Sequence, residues 1–273
     1  WLAGLHPAEL LGASLVEVVR RSGADPALVG QVIGGCVSQV GEQSFNIART
    51  AWLTAGMPLS VAATTVDSQC GSSQQATNLA TALVAGGVVD VALASGVEVM
   101  SRVPIGSSGR KDLGLGIPIP KTYFPQYEMT SQFEGAERIA EKWGITREAQ
   151  DELAVKSHQN LAKSYDEGWQ DDLVTPYLGV ERDNNLRPDS SMEKLAKLKP
   201  VFGKGEGATM TAGRPARACT RVIPVGPTPQ ATTPTGTCRV PATTGMPESH
   251  PPTAGPHRRS STPPGCSWVE SLR

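Results

Sequence analysis

Cys70 is the side chain of this sequence best placed to make and break a covalent bond. It stands in Val66-Asp67-Ser68-Gln69-Cys70-Gly71-Ser72-Ser73-Gln74-Gln75-Ala76, between a run that reads as a strand and one that reads as a helix. At the mouth of a helix, unpaired backbone N–H groups and the positive end of the dipole favour the thiolate, which is the nucleophilic form. The small residues after Cys70 leave room for a substrate. The alternative for any single cysteine is a small buried hydrophobe. That is the reading for Cys36, which lies inside the apolar run Val29 to Val37. His6 and His158 fall at or within helical patterns and read as surface groups. No CxxC pair and no closely spaced His/Cys set offers a metal site.

The elements that must hold Cys70 follow from periodicity. Ser60 to Val66 is small, β-branched and uncharged, the texture of a strand buried on both faces. After the cysteine, Ala76, Leu79, Ala80, Leu83 and Val84 recur at helical spacing until Gly86-Gly87. Upstream, Pro7 suits the first turn of a helix with Leu11, Leu15, Val18 and Val19 on one face and Gly23 as its stop. Val29 to Val37 reads as a strand, and Gln43 to Ala55 as a helix burying Phe45, Ala48, Trp52 and Ala55. Val88 to Gly96 supplies a third strand. The order α-β-α-β-α-β predicts an α/β fold, a parallel sheet covered by helices on both faces.

From Ser101 to Tyr123 the texture turns to Gly, Pro and Ser, a surface excursion. Helical patterns return over Ser131 to Trp143, stopped by Gly144, and from an N-cap at Thr146 to Gly168. Ser190-Ser191-Met192-Glu193 has capping-box spacing and opens a short helix that must end before Pro200. Residues 1–100 are therefore expected to form the α/β domain, 101–200 a mostly helical inserted subdomain and 201–213 a return segment. Beyond Arg214 more than half of the chain's 22 prolines mix with Thr, Arg and Gly, and neither Phe nor Tyr occurs. Residues 214–273 are expected to be an irregular, disordered tail, and the abrupt change reads as a shifted reading frame.

Bulk properties narrow the class. The chain has 273 residues and a formal net charge of -1, which argues against nucleic acid or an anionic membrane as partner. No apolar run reaches membrane-spanning length and no signal-peptide layout precedes the first helix. Five cysteines without a secretory signal predict a reduced, cytoplasmic protein. The start at Trp1, without methionine, reads as a fragment.

Several dispersed segments now resemble one family. They are the Cys70 segment, Ala94-Ser95-Gly96-Val97-Glu98-Val99-Met100-Ser101-Arg102-Val103-Pro104, Leu195-Ala196-Lys197-Leu198-Lys199-Pro200-Val201-Phe202 and Thr209-Met210-Thr211-Ala212-Gly213. Together, over about Leu2 to Gly213, the chain resembles the N-terminal part of a thiolase, a bacterial acetyl-CoA acetyltransferase or 3-ketoacyl-CoA thiolase. The resemblance implies a layered α-β-α half with a helical loop domain that grips CoA. It implies acyl exchange between CoA thioesters, with Cys70 acylated and its backbone N–H lending one oxyanion donor. It places CoA contacts at Arg187, Ser191, Phe202 and Ala212, with Gln132 near the pantetheine path and Met129 beside the acyl pocket or in packing. Coenzyme A is a substrate, no metal or other cofactor is implied, and family members are homo-oligomers.

The sequence also departs from that pattern. The family's second domain brings an Asn-Glu-Ala-Phe segment, a Gly-His-Pro histidine as base and a second cysteine in Cys-x-Gly. None is found: Ser249-His250-Pro251 lacks the glycine, and Cys238 and Cys266 are followed by Arg-Val and Ser-Trp. The family's N-terminal strand, an interior strand of its sheet, is read as missing ahead of Trp1. The expected behaviour is slow, stoichiometric acylation of Cys70 without turnover. The alternative is a non-catalytic CoA-binding or scaffold fragment. A ketoacyl synthase, which shares a nucleophilic cysteine at a helix start, is disfavoured by the Gly96-to-Ser101 segment and the long insertion.

Overall fold

Alternating side chains sort the strand residues onto two helical layers. The computed structural model describes residues 2–110, 112, 114–200, 209 and 211. Its strands are β1 (Gln31–Gly35), β2 (Ala62–Val66) and β3 (Ala92–Gly96), all parallel and in the order β2-β1-β3. Val32 pairs with Leu93 and Ile33 with Ala94, so neighbours in register face the same side. Val32 and Leu93 pack under α1 (Pro7–Ser22) and α2 (Ile47–Thr54), with Leu11, Leu15, Ala48 and Trp52. Ile33 and Ala94 pack on the other side against Ala76 and Ala80 of α3 (Ser72–Ala85). Residues on alternate positions thus serve different layers, and the expected α-β-α sandwich results.

The ends of α1 follow capping chemistry. Pro7 occupies its first turn, the His6 ring accepts the Ala8 N–H, and the Glu9 carboxylate takes the His6 N–H. Gly23, at φ 66°, closes the helix. The next helix departs from expectation. A 3-10 turn at Gly41–Gln43 is followed by Phe45 and Asn46, both left-handed, and α2 begins only at Ile47. Phe45, expected in the core, is 95% exposed. Asn46 explains it: its side chain caps Arg49 N–H and bonds Thr65 and the Ala63 carbonyl. That cluster turns the preceding residue outward, and three polar bonds outweigh the roughly 1–2 kcal/mol of a left-handed residue.

The strand before Cys70 also differs. It was expected to be buried on both faces, yet β2 is one of the two outer strands among the described residues, and its residues are half-buried or exposed. Its small residues suit close approach of α2 and the loop rather than deep burial.

The insertion is helical as expected, with α4 (Gln132–Trp143), α5 (Arg147–Asp166) and α6 (Met192–Ala196). Ser131, Thr146 and Ser191 cap them, each accepting a backbone N–H three residues on. Gly144 ends α4 at φ 61°. The predicted capping box at Ser190 does not form: Ser191 is the cap, and Glu193 pairs with Lys197 at 2.7 Å. The Arg21 guanidinium at the end of α1 ties this subdomain to the sheet, donating to the Asp172 carbonyl at 2.7 Å and Thr175 Oγ1 at 3.1 Å. All described residues lie within one compact unit. Among them no helix is long and apolar enough to cross a membrane. The expected irregular tail at 214–273 lies outside the described residues.

Candidate active site

The Cys70 turn is built from short polar side chains. After β2, Asp67 Oδ1 accepts the Gln69 N–H at 2.7 Å, and Gln69 adopts a left-handed φ of 51°. Ser72, only 5% exposed, takes the Ser68 N–H at 3.0 Å and donates to the Gln69 carbonyl at 2.6 Å. These bonds fold residues 67–72 back on themselves and leave Cys70 exposed at the crest. Gly71 is the N-cap of α3 and has no side chain to fill it, so the first turn of the helix is not closed by a capping oxygen. Cys70 therefore occupies the helix mouth as the sequence predicts. Among the described residues no side chain hydrogen-bonds to its thiol.

The floor beneath that turn is made of glycine. A Cβ on Gly35, the last residue of β1, would lie 2.5 Å from Ser72 C and Ser73 N. One on Gly96, the last residue of β3, would lie 2.0 Å from Ser73 Oγ. Gly35 thus has to be glycine for α3 to start where it does, whereas at Gly96 the Ser73 hydroxyl would have to turn aside.

Cys36 follows β1 at the same end of the sheet and is 1% exposed, as its core assignment requires. Burial, and then the neighbouring Glu98 carboxylate at 3.8 Å from Sγ, push its thiol up to about 12. It is a donor and not a nucleophile. The two thiols at one end of the sheet are thereby separated in role by exposure.

The residues assigned to CoA by resemblance divide. Arg187 is exposed, and its guanidinium bonds the Asn184 and Leu186 carbonyls at 2.9 and 3.1 Å. Among the described residues it makes no ion pair, so its charge is available to a phosphate. Ser191 is half-buried four residues on and spends its oxygen as the α6 cap. Ser190 links the two, donating to the Arg187 carbonyl at 2.8 Å. Lys194 holds the intervening Asp189 carboxyl below its usual range, with Arg187 adding a smaller pull. Gln132 is exposed on the first turn of α4, and among the described residues it hydrogen-bonds neither this segment nor Cys70. Met129 is 59% exposed. Phe202 and Ala212 lie outside the described residues. The sequence reading missed His158, whose Nδ1 accepts the Arg187 N–H at 3.3 Å. No local pattern announces that contact, because 29 residues separate the two.

The family model "Thiolase, N-terminal domain" matches residues 2–218. A steroid 3-ketoacyl-CoA thiolase of Mycobacterium tuberculosis is 38% identical over 220 residues, covering 77% of this chain and 53% of the relative. A 3-ketoacyl-CoA thiolase of Saccharophagus degradans is 36% identical over 218 residues, covering 76% and 54%. The crystal structure of the Bacillus anthracis acetyl-CoA acetyltransferase superposes with a TM-score of 0.63 at 34% identity, over 78% of this chain and 57% of that one. The chain spans about half the length of the curated relatives it matches.

Proposed function

Because the chain belongs to the thiolase family, whose N-terminal domain it carries, we propose that it transfers acyl groups between CoA thioesters through an acyl-enzyme on Cys70. The observation that carries this reading is the exposed Cys70 thiol at a helix mouth without a side-chain cap, while the second thiol at that end of the sheet is buried and held in its protonated form. In the first half-reaction the Cys70 sulfur attacks the thioester carbonyl. The Cys70 proton passes to water, the new S–C bond forms as the C–S bond to CoA breaks, and CoA leaves as a thiolate that regains a proton from water. Exchange between thiols of similar basicity is close to balanced, so the step needs positioning more than driving force. The Cys70 backbone N–H serves as one donor to the developing oxyanion. Arg187 and Ser191 in the insertion, with Gln132, Phe202 and Ala212, hold the CoA moiety, which is substrate rather than cofactor.

The second half-reaction needs a base to prepare the attacking carbon or thiol. Among the described residues none bonds to the Cys70 thiol, so this chain is expected to acylate once and to turn over poorly. The test is to incubate the purified chain with acetyl-CoA and map acetylated peptides by mass spectrometry. One acetyl group on the Cys70 peptide, absent in Cys70→Ser, is the expected result. CoA binding without any acylation of Cys70 would instead make the chain a non-catalytic CoA-binding scaffold. Sustained turnover that Cys70→Ser abolishes would overturn the single-acylation expectation.

A further inference from the structure

Glu98 lies two residues beyond β3, in the Ala94-to-Pro104 segment, and the acyl-transfer reading gives it no task. Its carboxylate is half-buried among donors. Oε2 accepts the Val37 N–H at 2.8 Å and faces the Cys36 thiol at 3.8 Å. Oε1 accepts the Ser38 N–H at 3.3 Å and Gln43 Nε2 at 2.9 Å. Gln43, which is completely buried, also donates to the Ser38 carbonyl at 2.9 Å and accepts the Val99 N–H at 2.7 Å. Those two bonds lock the Gln43 amide in one orientation. Glu98 must therefore accept on both oxygens. An isosteric glutamine would put an NH₂ against either backbone N–H groups or the Gln43 amide, and a buried donor facing a donor is costly. Among the described residues no lysine or arginine pairs with Glu98, so hydrogen bonds alone hold the charge.

The ring of bonds joins the exit of β1 (Val37 and Ser38) to the exit of β3 (Glu98 and Val99). The strand ends just before those exits are Gly35 and Gly96, whose faces are pressed against Ser72 and Ser73. Val97 N–H bonds the Gly35 carbonyl at 3.0 Å, and Cys36 N–H bonds the Val66 carbonyl at 3.0 Å, bringing β2 into the same set. We propose that Glu98 is a positioning residue for Cys70. By fixing the ends of β1 and β3, it fixes the glycine floor on which the first turn of α3 rests, and so the place of the thiol at the helix mouth. Gln43 is its partner in this, and the Cys36 thiol is a fourth donor to the same carboxylate, beside Val37, Ser38 and Gln43. This rests on the reading of Cys70 as acyl acceptor.

The test compares the 273-residue chain with its Glu98→Gln and Glu98→Asp variants, following acetylation of Cys70 against acetyl-CoA concentration. Amplitude reports the folded fraction, whereas the rate constant reports the geometry of the thiol. For Glu98→Gln the saturating rate falls about tenfold or more, while the half-saturating acetyl-CoA concentration stays within about twofold, since the insertion is untouched. Glu98→Asp keeps two acceptor oxygens and recovers part of the rate. A loss of amplitude with an unchanged rate constant would overturn the proposal, because a residue needed only for stability gives that result. Failure of both variants to fold would do the same. If the wild-type chain is not acylated at all, the acyl-transfer reading fails separately. The Glu98 proposal then stands if Glu98→Gln changes the rate of Cys70 alkylation by iodoacetamide in the native chain, and falls if it does not.

Discussion

Cys36 and Cys70 follow parallel strands at one end of the same sheet, yet only one can act as a nucleophile. Cys36 is walled in and faces an anion, so a thiol pushed up to about 12 is the stable form. At pH 8 only about one Cys36 in ten thousand would be ionised. Cys70 is exposed, and among the described residues no acid hydrogen-bonds to it. Iodoacetamide at that pH is therefore expected to label Cys70 in the native chain and to reach Cys36 only after denaturation, as read by peptide mapping. Equal native labelling of both would contradict the separation. This distinction was legible in sequence, since Cys36 lay in an apolar run and Cys70 before a helix. The acceptor role of Glu98 was not legible. Its donors come from residues 55 to 62 positions away, and no spacing rule reaches that far.

At the scale of elements, the site depends on how closely α3 can approach the strand ends. A methyl on Gly35 would meet backbone atoms of Ser72 and Ser73, which cannot rotate aside as a side chain can. Gly35→Ala should thus shift the first turn of α3, costing about 1–3 kcal/mol in urea unfolding and slowing Cys70 acylation. A variant with unchanged midpoint and rate would show that the turn tolerates displacement. Helix existence and most caps were readable, because Pro7, Gly23, Ser131, Gly144 and Thr146 act through neighbours a few residues away. The errors arose where distant partners decided. Phe45 fits a helical apolar stripe, but Asn46 finds better partners in β2 than in a continuous helix. Ser190 matched a capping box, but its hydroxyl bonds the Arg187 carbonyl and leaves Ser191 to cap.

For the whole molecule, the question is how the insertion is held to the sheet. Arg21 spans the gap, and Glu17 orients it at 2.6 Å while also binding Arg20 at 2.7 Å. Hydrogen bonds from Arg20 and then Arg21 lower the Glu17 carboxyl from 4.5 to about 2. A carboxyl whose folded value is depressed stabilises the fold above its ordinary value and loses that contribution as pH falls through the folded one. The advantage of the wild-type chain over Glu17→Gln in urea unfolding should hold near neutrality and shrink between 4.5 and about 2. An advantage independent of pH would show that the carboxylate charge is not what matters. The sequence by itself determined the layered α/β class, the family and the helices that follow the third strand, since each is written in short-range periodicity or in contiguous motifs. Tertiary structure alone decided that β2 is an outer strand, that Phe45 faces solvent, that His158 meets Arg187 and that Glu98 closes the strand ends. The reason is physical: a hydrogen-bond donor or a neighbouring strand far along the chain becomes a local fact only when folding brings it within about 3 Å. The place of Cys70 at the mouth of α3 was readable before the fold was known, but the bonds that shape its turn and join the strand ends were not.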